Sequence, residues 1–146
     1  MSITITGDKM VRNHLNRIEK AISITPKRLV KIAGEARNMI RDRTNKAQSF
    51  TGSPFKTLNQ VYADRKAKKG KQPIPNLHWS GNLLNSMQVK GIKDGAEIYF
   101  NTAESKVIAE AHHFGKGQPR RSFFKLGKKI REYIFKEVHK PIKKAV

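Results

Sequence analysis

The chain has 146 residues, with 31 Lys or Arg against 11 Asp or Glu, a net charge of +20 and no cysteine. That length suits one domain with its own core, the missing cysteines exclude a disulfide framework and a thiolate metal site, and the charge points to a polyanion or an acidic protein surface as neighbour. No apolar run is long enough to cross a membrane, and the N-terminus lacks the basic and apolar regions of a secretion signal, so neither membrane insertion nor export is expected.

Ser2 to Thr6 alternates, with Ile3 and Ile5 on one face, and reads as a short strand. Asp8 is placed to cap a helix that carries Val11, Leu15, Ile18 and Ile22 on its inner face. Thr25-Pro26 ends it and opens a second helix, because Pro disfavours a helical residue before it yet fits a first helical position. That helix is built on Leu29, Ile32, Ala33, Ala36, Met39 and Ile40, with small Ala33, Gly34 and Ala36 allowing close approach. Gln48 to Leu58 is loop chemistry. Val61 to Lys69 reads as a short basic helix and Gly70 to Pro75 as an extended mobile loop, together a basic arm.

Ser80 is expected to cap a brief helix through Leu83, Leu84 and Met87, with Trp79 beside it as a core anchor. Gln88 to Ile92 and Ala96 to Phe100 then flank Lys93-Asp94-Gly95, a hairpin signal. Ile108 to Gly115 reads as an apolar helical turn closed by Gly115, which supplies left-handed backbone most cheaply. The last helix spans Leu126 to Lys140, with Ile130, Ile134 and Val138 inward and Lys128, Lys129, Arg131 and Lys136 outward, and Pro141 ends it.

Charge is unevenly placed. Residues 77 to 115 set Lys90, Lys93 and Lys106 against Asp94, Glu97, Glu104 and Glu110, a net of −1, so the flanking segments carry the whole excess. Solvated lysine faces that keep a protein soluble would give the same runs.

Catalysis finds no support. Adjacent His112 and His113 point about a hundred degrees apart on a helix and do not readily share a metal ion. His14, His78 and His139 are scattered, Ser80-Gly81 is not a nucleophile elbow, and Gly115 and Gly117 lack the downstream Lys-Ser/Thr of a phosphate loop. No catalytic, cofactor or metal residue is therefore expected. Arg121 is suited to bind a carboxylate, or backbone carbonyls at a subunit contact, and is otherwise an ordinary surface arginine. Phe123 and Phe124 lead into the Ile130 and Ile134 stripe, which favours packing over base stacking.

His112, His113, Phe114 and Gly115 followed by Pro119, Arg120, Arg121, Ser122 and Phe123 resemble two blocks of the tail-completion or virion-morphogenesis family of tailed bacteriophages and prophages: Tyr-Ala-x-x-His-x-x-Gly and Pro-Ala-Arg-x-Phe. Gly52, Pro54, Phe55 and Leu58, then Tyr62 and Lys66, resemble its Gly-x-Pro-Trp-x-Pro-Leu segment and the Tyr and Lys beyond. Ser80, Gly81, Leu83 and Ser86 resemble its Ser-Gly-x-Leu-x-x-Ser segment, and the blocks keep the family's order. Ile108 stands where the family usually has Tyr, Phe55 where it has Trp and Arg120 where it has Ala.

The resemblance implies an α+β fold in which long N-terminal helices and a C-terminal helix pack on a small antiparallel sheet with a hairpin. One domain over 1–146 would hold the strand and helices in 1–47, the basic loop or arm in 48–76, the hairpin and signature core in 77–115, and a loop and helix in 116–146. It further implies a non-enzymatic structural protein of the virion that acts in tail completion or head-tail joining at the neck, made in the host cytoplasm. Copies would close into a ring, a hexamer by tail symmetry, against neighbouring neck, tail-terminator or tail-tube proteins. Lys66, Lys68, Lys69, Lys71, Lys128, Lys129 and Arg131 would face genome DNA non-specifically. The alternative is a small basic protein that binds nucleic acid without sequence preference, although no groove-reading helix or aromatic sheet motif is visible.

Overall fold

A computed structural model describes residues 8–22 and 24–145, so the strand expected at Ser2 to Thr6 lies outside the described residues. Asp8–Ile22 (α1) and Pro26–Asn45 (α2) come first. Thr25 caps α2 as its sequence demands, its hydroxyl accepting from the Arg28 N–H at 3.3 Å with Pro26 at the helix start. Ile32, Ala36 and Ile40 share one buried stripe, and Thr44, one turn on, is fully enclosed and donates to the Ile40 carbonyl at 2.8 Å. Ala36 is a packing residue, but Gly34 is not: a β-carbon there would meet nothing within 4 Å.

Among the described residues, the hairpin is the sheet. Met87–Ile92 (β1) pairs antiparallel with Gly95–Phe100 (β2), Met87 opposite Phe100 and Ile92 opposite Gly95, so the turn is Lys93-Asp94 and Gly95 already belongs to a strand. Two strands alone are marginal in water. These lie against α2, and Met87, fully buried, joins Ile40, Leu84 and Phe123 in the core.

Among the described residues, four more helices complete an α+β architecture: Gln60–Lys68 (α3), Asn82–Asn85 (α4), Ala103–Phe114 (α5) and Lys128–Ala145 (α6). α4 is shorter than expected, with Gly81 at its cap position in left-handed backbone and Met87 passed on to β1. α5 is longer, because Thr102 accepts from the Ser105 N–H at 3.1 Å and starts the helix well before Ile108.

Pro141 does not end α6; the helix runs through it. A proline cannot donate to the carbonyl four residues back. That carbonyl, Glu137 O, instead accepts from the Arg28 guanidinium at 2.7 Å, which ties α6 to the start of α2 and removes the cost of an orphaned acceptor. α1 packs against α6 alone among the helices it touches closely, so its stripe is only partly covered. Val11 and Leu15, expected inward, are exposed, and Ile18 is half-buried.

Candidate functional site

Hydrogen bonds hold the connection from α5 to α6 at its start and over Arg121 to Lys125. At the end of α5, Gly115 takes φ +77 and its N–H and that of Lys116 both donate to the Ala111 carbonyl at 2.9 Å, the left-handed closure expected there. The next free carbonyls of α5 are met by the loop: Arg121 N–H donates to His112 O at 2.7 Å and the Ser122 hydroxyl to His113 O at 3.3 Å. From the other side, Phe50 N–H donates to Ser122 O at 3.0 Å, and the Arg43 guanidinium of α2 donates to Phe123 O at 2.7 Å and Lys125 O at 2.9 Å. Phe123 is fully buried, edge-on to Phe100, so it packs and does not stack on a ligand.

Two adjoining hollows, of about 590 and 290 Å³, open beside this loop and share Leu58, Tyr62 and His112. Pro119 and Arg121 line the larger, and Ser80, Gly81 and Leu83 line the smaller. Residues from all four sequence blocks thus meet at one place. Gly81 is buried at φ +85, where a β-carbon would sit 3.2 Å from His78 Nε2 and Asn85 Nδ2. The Ser80 hydroxyl accepts from Asn82 N–H at 3.3 Å. Gly52 and Pro54 stand apart, in an exposed turn where Gln48 bridges to Pro54, while Phe55 behind them enters the core.

Several expectations change. Lys66 is not a surface cation: it is buried, and its ammonium donates to Ile74 O at 2.7 Å and Asn76 Oδ1 at 2.8 Å, which folds the segment after α3 back and removes Lys66 from any DNA-facing set. Lys68, Lys69, Lys128, Lys129 and Arg131 are exposed and Lys71 is half-buried. Trp79 is no core anchor; it is exposed and stacks on Tyr62 with ring centres 5.7 Å apart. Arg121, with 7% of its surface exposed, is not a surface arginine.

Positive charge gathers here, with Glu104 the one carboxylate lining either hollow. Burial lowers the Lys66 pKa, and the cations Lys71 and Arg121 lower it further. Burial and then Arg121 hold the His112 imidazole at about 4. An unfolded chain takes up that proton near 6.5, so this histidine's contribution to stability is full above 6.5 and is lost as pH falls towards 4. His112→Asn should flatten the fall in denaturation midpoint over that window, with His113, also lowered by burial, keeping a remainder. An unchanged slope would show that His112 titrates normally. Among the described residues, no three His, Asp or Glu side chains gather in a way that could hold a metal ion.

The chain matches the phage virion morphogenesis family over residues 7–140. It belongs to that family. No curated protein and no solved structure matched. In this member of the phage virion morphogenesis family, the signature-like residues are mostly those that shape the α5–α6 connection and the adjoining hollows. Sequence reasoning missed Arg43 and Gly127. A β-carbon on Gly127 would run into the Phe50 carbonyl and lie 2.8 Å from Arg43 Nη1, and nothing local to either residue signals that meeting.

Proposed function

We propose that this virion morphogenesis protein completes the tail or joins head to tail at the neck, as one 1–146 domain repeated in a ring, and has no catalytic role. The family match over residues 7–140 carries the reading. Further support comes from the use of the signature-like residues: they shape one surface feature, with Gly115 and Gly81 in left-handed backbone and the Arg121 N–H bonded to His112 O, and shape is what a docking subunit must supply. The ring, six copies by tail symmetry, would contact neck, tail-terminator or tail-tube proteins. Exposed Lys68, Lys69, Lys128, Lys129 and Arg131 would neutralise DNA phosphates along the genome path without reading sequence. A free-standing nucleic-acid binder would account for the charge but leaves the family unexplained.

Removing the gene from its phage tests this. Electron microscopy of the lysate should find filled heads and separate tails, rescued by the intact gene supplied in trans. Normal yields of joined, infectious particles without the gene would overturn it.

A further inference from the structure

Arg121 is a buried cation: burial works against its charge, neighbouring Tyr62 favours it, and no carboxylate among the described residues stands against it. Its Nε has no partner, and no carbonyl or carboxylate among the described residues accepts from its guanidinium, although it lines the larger hollow. A guanidinium taken out of water without a counter-ion is costly, and the cost is recovered when an anion meets it. Its surroundings do not supply one. Lys66 nearby spends its ammonium on two neutral oxygens, Lys56 stands exposed on the rim, and Glu104, on the wall of the smaller hollow, forms no ion pair with either buried cation. Beside this charge the stacked Tyr62 and Trp79 offer an apolar wall that is half open to solvent.

Resting on the assembly reading above, we propose that this groove receives an acidic segment of a partner protein in the particle, one carboxylate meeting Arg121 and an adjacent apolar side chain lying on Tyr62 and Trp79. Planar guanidinium pairs with carboxylate through two parallel hydrogen bonds, and an aromatic wall fits the rest of a peptide. Duplex DNA fits less well. Its phosphates sit on a broad convex surface and are met by exposed lysines, whereas Arg121 lies below the surface and is reached by a projecting side chain.

Trp79 is the sole tryptophan, so its emission reports on the groove in the whole, unlabelled chain. The full protein is titrated with the peptide acetyl-Gly-Glu-Leu-Gly-amide and with its Gln counterpart. The Glu peptide should change Trp79 emission saturably and bind about tenfold tighter than the Gln peptide, the worth of a charge-assisted pair. Arg121→Lys should abolish most of that preference. Because Arg121 is buried and its replacement can disturb folding, Lys56→Gln on the exposed rim serves as the second variant and should weaken the Glu peptide severalfold with an unchanged circular dichroism spectrum.

Equal binding of the two peptides overturns the proposal. So does a twelve-base-pair duplex that moves Trp79 emission at lower concentration than the Glu peptide, which would assign the groove to DNA. Emission that changes with protein concentration alone and no longer does so in Arg121→Lys would place a second copy there and overturn it too. The assembly reading fails separately: a groove selective for the Glu peptide in a phage whose Arg121→Lys and Lys56→Gln variants assemble normally leaves the site standing and removes its role in joining.

Discussion

Gly115→Val is expected to cost about 3 kcal/mol or more of folding stability, while Gly52→Ala costs far less. Both glycines have positive φ, +77 and +90, so each substitution strains the backbone by roughly 1–3 kcal/mol. They differ in space. A β-carbon at Gly52 meets nothing within 4 Å, but at Gly115 it lies 3.0 Å from Arg120 Cβ and 3.2 Å from the Arg120 backbone, which adds crowding of about 1–3 kcal/mol. Arg120 has little room to retreat, since the Arg121 N–H beside it is bonded to His112 O. Urea denaturation of the two variants gives the comparison. Equal losses would mean that the loop 116–123 does not pack on the end of α5. In the phage, Gly115→Val should also lower the yield of joined particles.

The second large effect is expected at Gly127→Ala, roughly 2–4 kcal/mol from crowding and from lost hydrogen bonds to a charged donor. The added methyl meets the Phe50 carbonyl and displaces Arg43, whose guanidinium holds the carbonyls of Phe123 and Lys125. The two residues adjoin, a β-carbon at Gly127 lying 2.8 Å from Arg43 Nη1, so their losses should not add. In Arg43→Met, where those bonds are already gone, Gly127→Ala should cost less than it does in the parent. Full additivity, measured by thermal or urea unfolding of the single and double variants, would show that Arg43 and Gly127 act independently.

Sequence made legible what local chemistry decides. The Thr25-Pro26 helix start, the alternation on both sides of Lys93-Asp94 and the left-handed closure at Gly115 are each determined within a few residues, and the structure has all three. The start of α5 is equally local, in Thr102 and Ser105, but it precedes the apolar run from Ile108 that marks the helix in the sequence. What stayed hidden depends on distant partners. Lys66 reads as one lysine in a basic run until Ile74 O and Asn76 Oδ1 enclose it. Pro141 reads as a stop because the Arg28 guanidinium that donates to Glu137 O comes from another helix. Trp79 reads as core by size, yet Tyr62 gives it a partner at the surface. The stripe of α1 reads as buried although one helix covers only part of it.

The site follows the same division. Its residues were named from motif spacing, but their convergence on two joined hollows, and the absence of a counter-ion for Arg121, belong to the tertiary structure. Gly127 had no motif to mark it, because its constraint is the Phe50 carbonyl.

Reconstruction of the intact phage particle by electron cryomicroscopy, with and without this gene product, decides where the chain sits. A closed ring of this chain is expected at the head-proximal end of the tail or in the neck, surrounding the DNA path and missing when the gene is removed. Mature particles in which no copy is found there, or in which the chain occupies the capsid shell or the distal tip of the tail, would contradict it.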